Sequence, residues 1–216
     1  MVETKWLYHL GKSLYSLKDP EFSNCDLVVP LGYGLINQNE LPDAAEKTLR
    51  KAVQIASKYR VRIAWASANY FWPECEEEEN RLKMAKVNAG GLIALPIIAE
   101  GVANTVTEAQ GIRQAVTRAG FRLQSKTIVV VADWPHARSA RKIWRKVFPE
   151  AIIIVVSIEG KWDRPHPALF ARSELRWLFI NIVRHLGLMI FGMKFVGLIR
   201  HPISKKENKM RINKIR

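Results

Sequence analysis

Within the nine-residue stretch DWPHARSAR, Asp133 to Arg141, the chain places a carboxylate, an imidazole and two guanidinium groups. His136 is the residue type for proton transfer near neutral pH, and Arg138 and Arg141 are suited to holding a phosphate or carboxylate. Their spacing adds to the chemistry. Pro135 sits where a first-turn proline is tolerated, and Ala137, Ala140, Ile143, Trp144 and Val147 recur at helical spacing, so the cluster falls at a helix start. Unpaired N–H groups and a partial positive charge at that end of a helix favour an anion. A structural role for His136 at the helix start is the competing reading.

Three further polar groups stand at similar junctions. Gly32 and Gly34 follow the apolar run Asp26 to Leu31, which reads as a first strand ending at Pro30. Two glycines there permit either a plain turn or a close backbone approach to a phosphate, although the third glycine of a dinucleotide fingerprint is missing. Ser67 ends a second strand, Val61 to Ser67, and is followed by the aromatic loop Tyr70 to Trp72. Glu100 and Asn104 lie between a third strand within Leu92 to Ile98 and a helix reaching Ala119. Thr105 and Glu108 match the spacing of a capping box, and they are candidate ligand-binding residues as well. The glutamates between Glu74 and Glu79 read as the acidic first turn of another helix.

The elements that must position these residues follow from the apolar runs. Thr127 to Ala132 is mostly β-branched, as in a strand buried on both faces of a parallel sheet, and Ala151 to Ser157 repeats the pattern. Helical spacing covers Asp43 to about Tyr59, the stretch after Pro135, and roughly Phe170 to Leu186, where Gly187 reads as a C-cap. Five strands alternating with helices predict an α/β, doubly wound, Rossmann-like parallel sheet. In such a sheet Gly32, Gly34, Ser67, Glu100, Asn104, Thr105, Glu108, Asp133, His136, Arg138 and Arg141 share the carboxyl edge, where ligands bind. If chemistry occurs there, His136 is the acid or base, Glu100 an orienting or second base, and Arg138 the phosphate clamp. No G-x-S-x-G elbow is present, and no spacing demands a metal.

These residues are similar to an ordered set of motifs in the bacterial family of unknown function that includes YdcF, SanA and ElyC. Asp26 to Gly34 resembles its opening strand and glycine-rich turn, with Tyr33 where a small residue is usual. Val61 to Ser67 occupies the place of the second strand, with Ala68-Asn69 instead of glycines, and Glu78 or Glu79 fills a following acidic position. Glu100, Asn104-Thr105 and Glu108-Ala109 resemble its acidic and Asn-Thr step. Val130 to Ala140 resembles its strand and histidine-arginine turn, with Arg138 and Arg141 competing for one role. The resemblance spans Asp26 to Leu186. The anion-binding amides, arginines, carboxylates and histidine themselves suit a phosphorylated, nucleotide-like or lipid-linked anionic ligand, whereas the resemblance implies a Rossmann-like fold and a place in cell-envelope metabolism, of peptidoglycan or a lipid carrier. Neither a cofactor nor a reaction follows from it.

The whole chain has 216 residues, 48% hydrophobic, which suits one α/β domain, assigned to 1–186, with an apolar and basic extension over 187–216. Of its net charge of +14, about half sits between Lys194 and Arg216, with eight Lys or Arg against one Glu. Such a tail reads as a solvated arm or a contact with anionic lipid. Nucleic acid is disfavoured because no recognition motif accompanies the charge. Trp177 to Ile199 carries Arg184 and Lys194 and is broken by Gly187, which weighs against a spanning helix. The apolar piece 188–199 then packs on the domain, on another subunit or on an anionic membrane surface. The alternative function is therefore a non-catalytic membrane-surface protein recognising an anionic lipid headgroup. Cys25 and Cys75 show no disulfide or zinc spacing, and the opening residues lack a secretory pattern. Both features predict a cytoplasmic protein, peripheral to the inner membrane if the tail engages lipid.

Overall fold

Buried, β-branched runs of this kind form strands only where helices cover both faces of the sheet, and that is the architecture observed. The computed structural model describes residues 2–18, 20–33, 41–66, 97–99, 104–161 and 173–193. In order the elements are α1 (Val2–Tyr15), β1 (Leu27–Pro30), α2 (Asp43–Tyr59), β2 (Arg62–Ala66) and β3 (Ile97–Ala99), followed by α3 (Thr105–Arg118), β4 (Thr127–Asp133), α4 (Trp134–Val147), β5 (Ile152–Ile158) and α5 (Glu174–Phe191). The five strands are parallel and lie in the order β3-β2-β1-β4-β5. The chain builds outward from β1 to β3 and then returns to the other side of β1, so the order reverses between β1 and β4. Such a sheet is Rossmann-like, and the reversal opens the usual ligand crevice at the strand carboxyl ends.

Period-two alternation sorts the strand side chains into two cores. Leu27, Val29, Ile128, Val130, Ala132, Ile153 and Val155 face α3 and α4, whereas Val28, Ile63, Trp65, Val129, Val131 and Val156 face α2. On the first side Trp144 stacks on Phe148 with ring centroids 5.2 Å apart, both fully buried. Truncating either residue to Ala would cost about 3–5 kcal/mol.

α2 matches its predicted bounds. Asp43 and Glu46 occupy its acidic first turn, and Asp43 pairs with Lys47 at 3.0 Å. Arg60, in the left-handed conformation at φ 55°, closes its end. The loop leaving β5 is tied to α2 at Gly160, where an added Cβ would lie 2.4 Å from the Ala44 Cβ, so no other residue fits without displacing backbone.

Two helices depart from the sequence reading. α1 forms in a stretch read only as lacking a leader, and it packs against α4 and α5. α5 runs through the buried Gly187 to Phe191, with Gly192 as its cap, so the division placed at 186/187 falls inside a helix. Interior glycine weakens a helix by only about 1 kcal/mol, which packing on both sides readily offsets.

Candidate functional site

The carboxyl edge is assembled around Asp133, the last residue of β4. Asp133 stands at the N-cap position of α4 yet caps nothing, because its carboxylate is turned elsewhere. Oδ1 accepts the Gly160 amide at 3.0 Å and Oδ2 accepts the Trp177 indole N–H at 2.9 Å. The Asp133 amide donates to the Tyr33 hydroxyl at 2.6 Å. One fully buried residue thereby joins the ends of β1 and β5 to the first turns of α5.

Beside it, the rings of Tyr33, His136 and Trp177 meet edge to face, each pair with centroids 5.8 or 5.9 Å apart. His136 is 3% exposed. Its Nε2 shares a hydrogen bond with Thr105 Oγ1 at 3.1 Å, while its Nδ1 is buried without a partner. Burial, and then the positive charge of Arg184, hold its pKa well below the usual histidine value, so the ring is neutral at pH 7. Burial, and then the Asp133 charge, push the Tyr33 phenol well above its ordinary value.

The glycine turn and the start of α3 meet across the point where the strand order reverses. Glu108, buried in the first turn of α3, accepts the Gly32 amide at 2.9 Å. Its carboxylate therefore occupies an amide that a ligand anion would otherwise use. The capping box is shifted by one residue from the predicted pair. Asn104 is the N-cap and accepts from Val106 and Thr107 at 2.9 and 3.0 Å, while the Asn104 amide donates to Thr107 Oγ1 at 2.9 Å. Asn104 thus has the capping role, and Thr105 and Glu108 are released for contacts across the crevice.

Arg138 is not placed as a phosphate clamp. Its guanidinium donates to the carbonyls of Leu14, Tyr15 and Ser16 and lies over the Tyr15 ring at 5.1 Å, so it closes the carboxyl end of α1. That use of a cation at a helix C-terminus is favourable in itself. Arg141 is exposed one turn farther along α4. Burial, and then the charges of Arg145 and Arg138, lower its pKa. Gly34, Ser67 and Glu100 lie outside the described residues, as do the aromatic loop, the run of glutamates, Cys75 and the basic tail. Cys25 is buried, and burial pushes its thiol up to about 11, which suits packing and not nucleophilic attack.

Sequence reasoning missed Arg184. The helix continues past Gly187, and Arg184 lies on the same face as the buried Trp177, Asn181 and Leu188. Its position at core spacing in an apolar helix was the available signal. Its Nε is buried without a hydrogen-bond partner, and Nη1 reaches Asn181 Oδ1 only at 3.5 Å. Burial lowers its pKa, with the Tyr33 and Tyr15 phenols as the groups acting against that shift. No carboxylate pairs with it among the described residues. Nor do those residues contain a group of three or more His, Cys, Asp or Glu placed to hold a metal ion. Chemically, the edge offers a guanidinium, a neutral imidazole with one open nitrogen and an aromatic wall.

Comparison with known proteins finds no matching family model and no matching curated protein.

Proposed function

We propose that this chain binds a phosphorylated or nucleotide-like anion at the carboxyl edge of its sheet, with Arg184 as the cation that receives it and His136 as the neighbouring neutral donor or acceptor. One observation carries this reading: the Arg184 Nε is buried without a hydrogen-bond partner, its charge acts on His136, and no carboxylate pairs with it among the described residues. A partly desolvated charge left without a counter-ion is unfavourable, and a bound anion offsets that cost. The location at the strand-order reversal supports it. The resemblance to the YdcF, SanA and ElyC family supports a ligand from cell-envelope metabolism, including a lipid-linked phosphate.

Native mass spectrometry of the purified chain, followed by a screen of phosphorylated compounds and nucleotides, tests the proposal. An anionic adduct is expected in the wild type. Arg184→Gln should weaken its binding roughly 10- to 150-fold, the range for a hydrogen bond to a charged group. Arg184→Met should also leave the urea midpoint of the unliganded chain unchanged or higher, since it removes a half-buried charge without a carboxylate partner among the described residues. Retention of the adduct in Arg184→Gln and His136→Gln alike would exclude this site. If substrate turnover is found, its loss in His136→Gln with binding retained assigns proton transfer to that ring.

A further inference from the structure

The outward face of α4 carries Arg141, Lys142, Arg145 and Lys146, all exposed, at spacings that place them along one stripe of the helix. α4 contains no acidic residue, and none of these four cations has a carboxylate partner among the described residues. α5 packs against α4. The charges of Lys142, Arg138 and Arg141 act on His185 in α5, and an added Cβ on Gly192 would lie 4.0 Å from Lys146 Nζ. The cationic stripe therefore runs beside the last two turns of α5. Those turns expose Leu186, Met189, Ile190 and Phe191 at 51% to 71% of their surface, and the 70%-exposed Leu14 lies at the carbonyls that Arg138 holds.

We propose that this face of α4 and α5 docks on an anionic lipid bilayer, the apolar side chains entering the headgroup boundary and the four cations lying against the lipid phosphates. The proposal is independent of the ligand at the carboxyl edge. Other occupants fit less well. A second copy would set two unneutralised cationic stripes against each other. Nucleic acid would meet the cations but leave the mainly aliphatic cluster of Leu186, Met189, Ile190 and Phe191 against phosphates. A bilayer satisfies both halves, because binding at its surface combines apolar burial with attraction to anionic lipid. No helix among the described residues is long and apolar enough to cross a membrane, so the contact is one of lying on the surface. The face consists of folded, described residues, and the 194–216 tail adds charge of the same sign by composition.

Co-sedimentation of the full chain with vesicles of phosphatidylcholine, with and without phosphatidylglycerol, tests the proposal. Binding is expected only with phosphatidylglycerol and should fall at high salt. Arg145→Gln with Lys146→Gln should weaken it roughly 25-fold, about fivefold for each cation. Met189→Ser with Ile190→Ser should weaken it on the order of tenfold. All four residues are exposed, so the circular dichroism spectrum and urea midpoint of both variants should match wild type. Wild-type binding by both variants would assign any membrane contact elsewhere and overturn the proposal. So would equal binding to pure phosphatidylcholine. If the chain instead binds a DNA duplex, losing it in the α4 variant and keeping it in the α5 variant, the face belongs to nucleic acid and the proposal fails.

Discussion

Glu108 accepts the Gly32 amide at 2.9 Å across 76 residues of sequence, fastening the first turn of α3 to the exit of β1. A charge-assisted bond in this buried position contributes roughly 1.5–3 kcal/mol. Glu108→Ala should lower unfolding stability by about that amount, because the Gly32 N–H loses its acceptor. Glu108→Gln retains an acceptor and should lose markedly less. Urea unfolding of the two variants checks this, and a neutral Glu108→Ala would show that the bond contributes nothing.

Removing the Arg138 guanidinium should release α1 and leave the sheet intact. Its donors hold three carbonyls at the end of that helix. Hydrogen exchange in Arg138→Ala should quicken by roughly ten- to a hundredfold for amides of α1, as expected for losing bonds worth about 1.5–3 kcal/mol. Amides of β4 should keep their protection. Unchanged protection in α1 would mean that Arg138 is free for another role.

The depressed pKa of His136 fixes the direction of one pH dependence. Its folded value lies well below 6.5, chiefly through burial. The unfolded chain thus binds the proton more readily. The associated stability is fully present above the unfolded value and declines as pH falls below about 6.5, with a slope of up to about 1.4 kcal/mol per pH unit. His185, lowered by burial and by Lys142, acts in the same direction. His136→Gln should flatten the decline between pH 6.5 and 5 in urea melts. An equally steep fall in that variant would assign the transition to other groups.

The frame of the fold was legible because it rests on local pattern. β4 and β5 announce themselves as β-branched runs, and α2 by apolar spacing between Pro42 and Arg60. The topology also placed Asp133, His136, Thr105 and Glu108 on one edge, as the alternation of strands and helices implied. Their individual partners were not legible. Thr105-x-x-Glu108 and Asn104-x-x-Thr107 both have the form of a helix cap, and what separates them is the Gly32 amide drawing Glu108 away. Arg138 and Arg141 look equivalent in sequence until α1 presents its carbonyls to the first, 123 residues distant at Tyr15. α1 itself has weak local signals, with Gly11 mid-helix and polar residues throughout. Its buried face acquires meaning only beside α4 and α5, where Trp134 meets Tyr8 and Leu178 fills the space left by the missing Gly11 side chain.

That pairing joins the two ends of the described chain. Tyr8 packs on Trp134 and Leu178 and accepts the Trp134 indole N–H at 2.9 Å. On a ribosome α1 is made before α4 and α5, so its apolar side stays incompletely covered until Trp134 of α4 and then Leu178 of α5 have emerged. Its docking therefore comes late, and contacts this distant in sequence form slowly. A chain shortened before Trp177 should retain the sheet's local strand signals while leaving α1 covered on its α4 side alone, a readier target for proteases and chaperones.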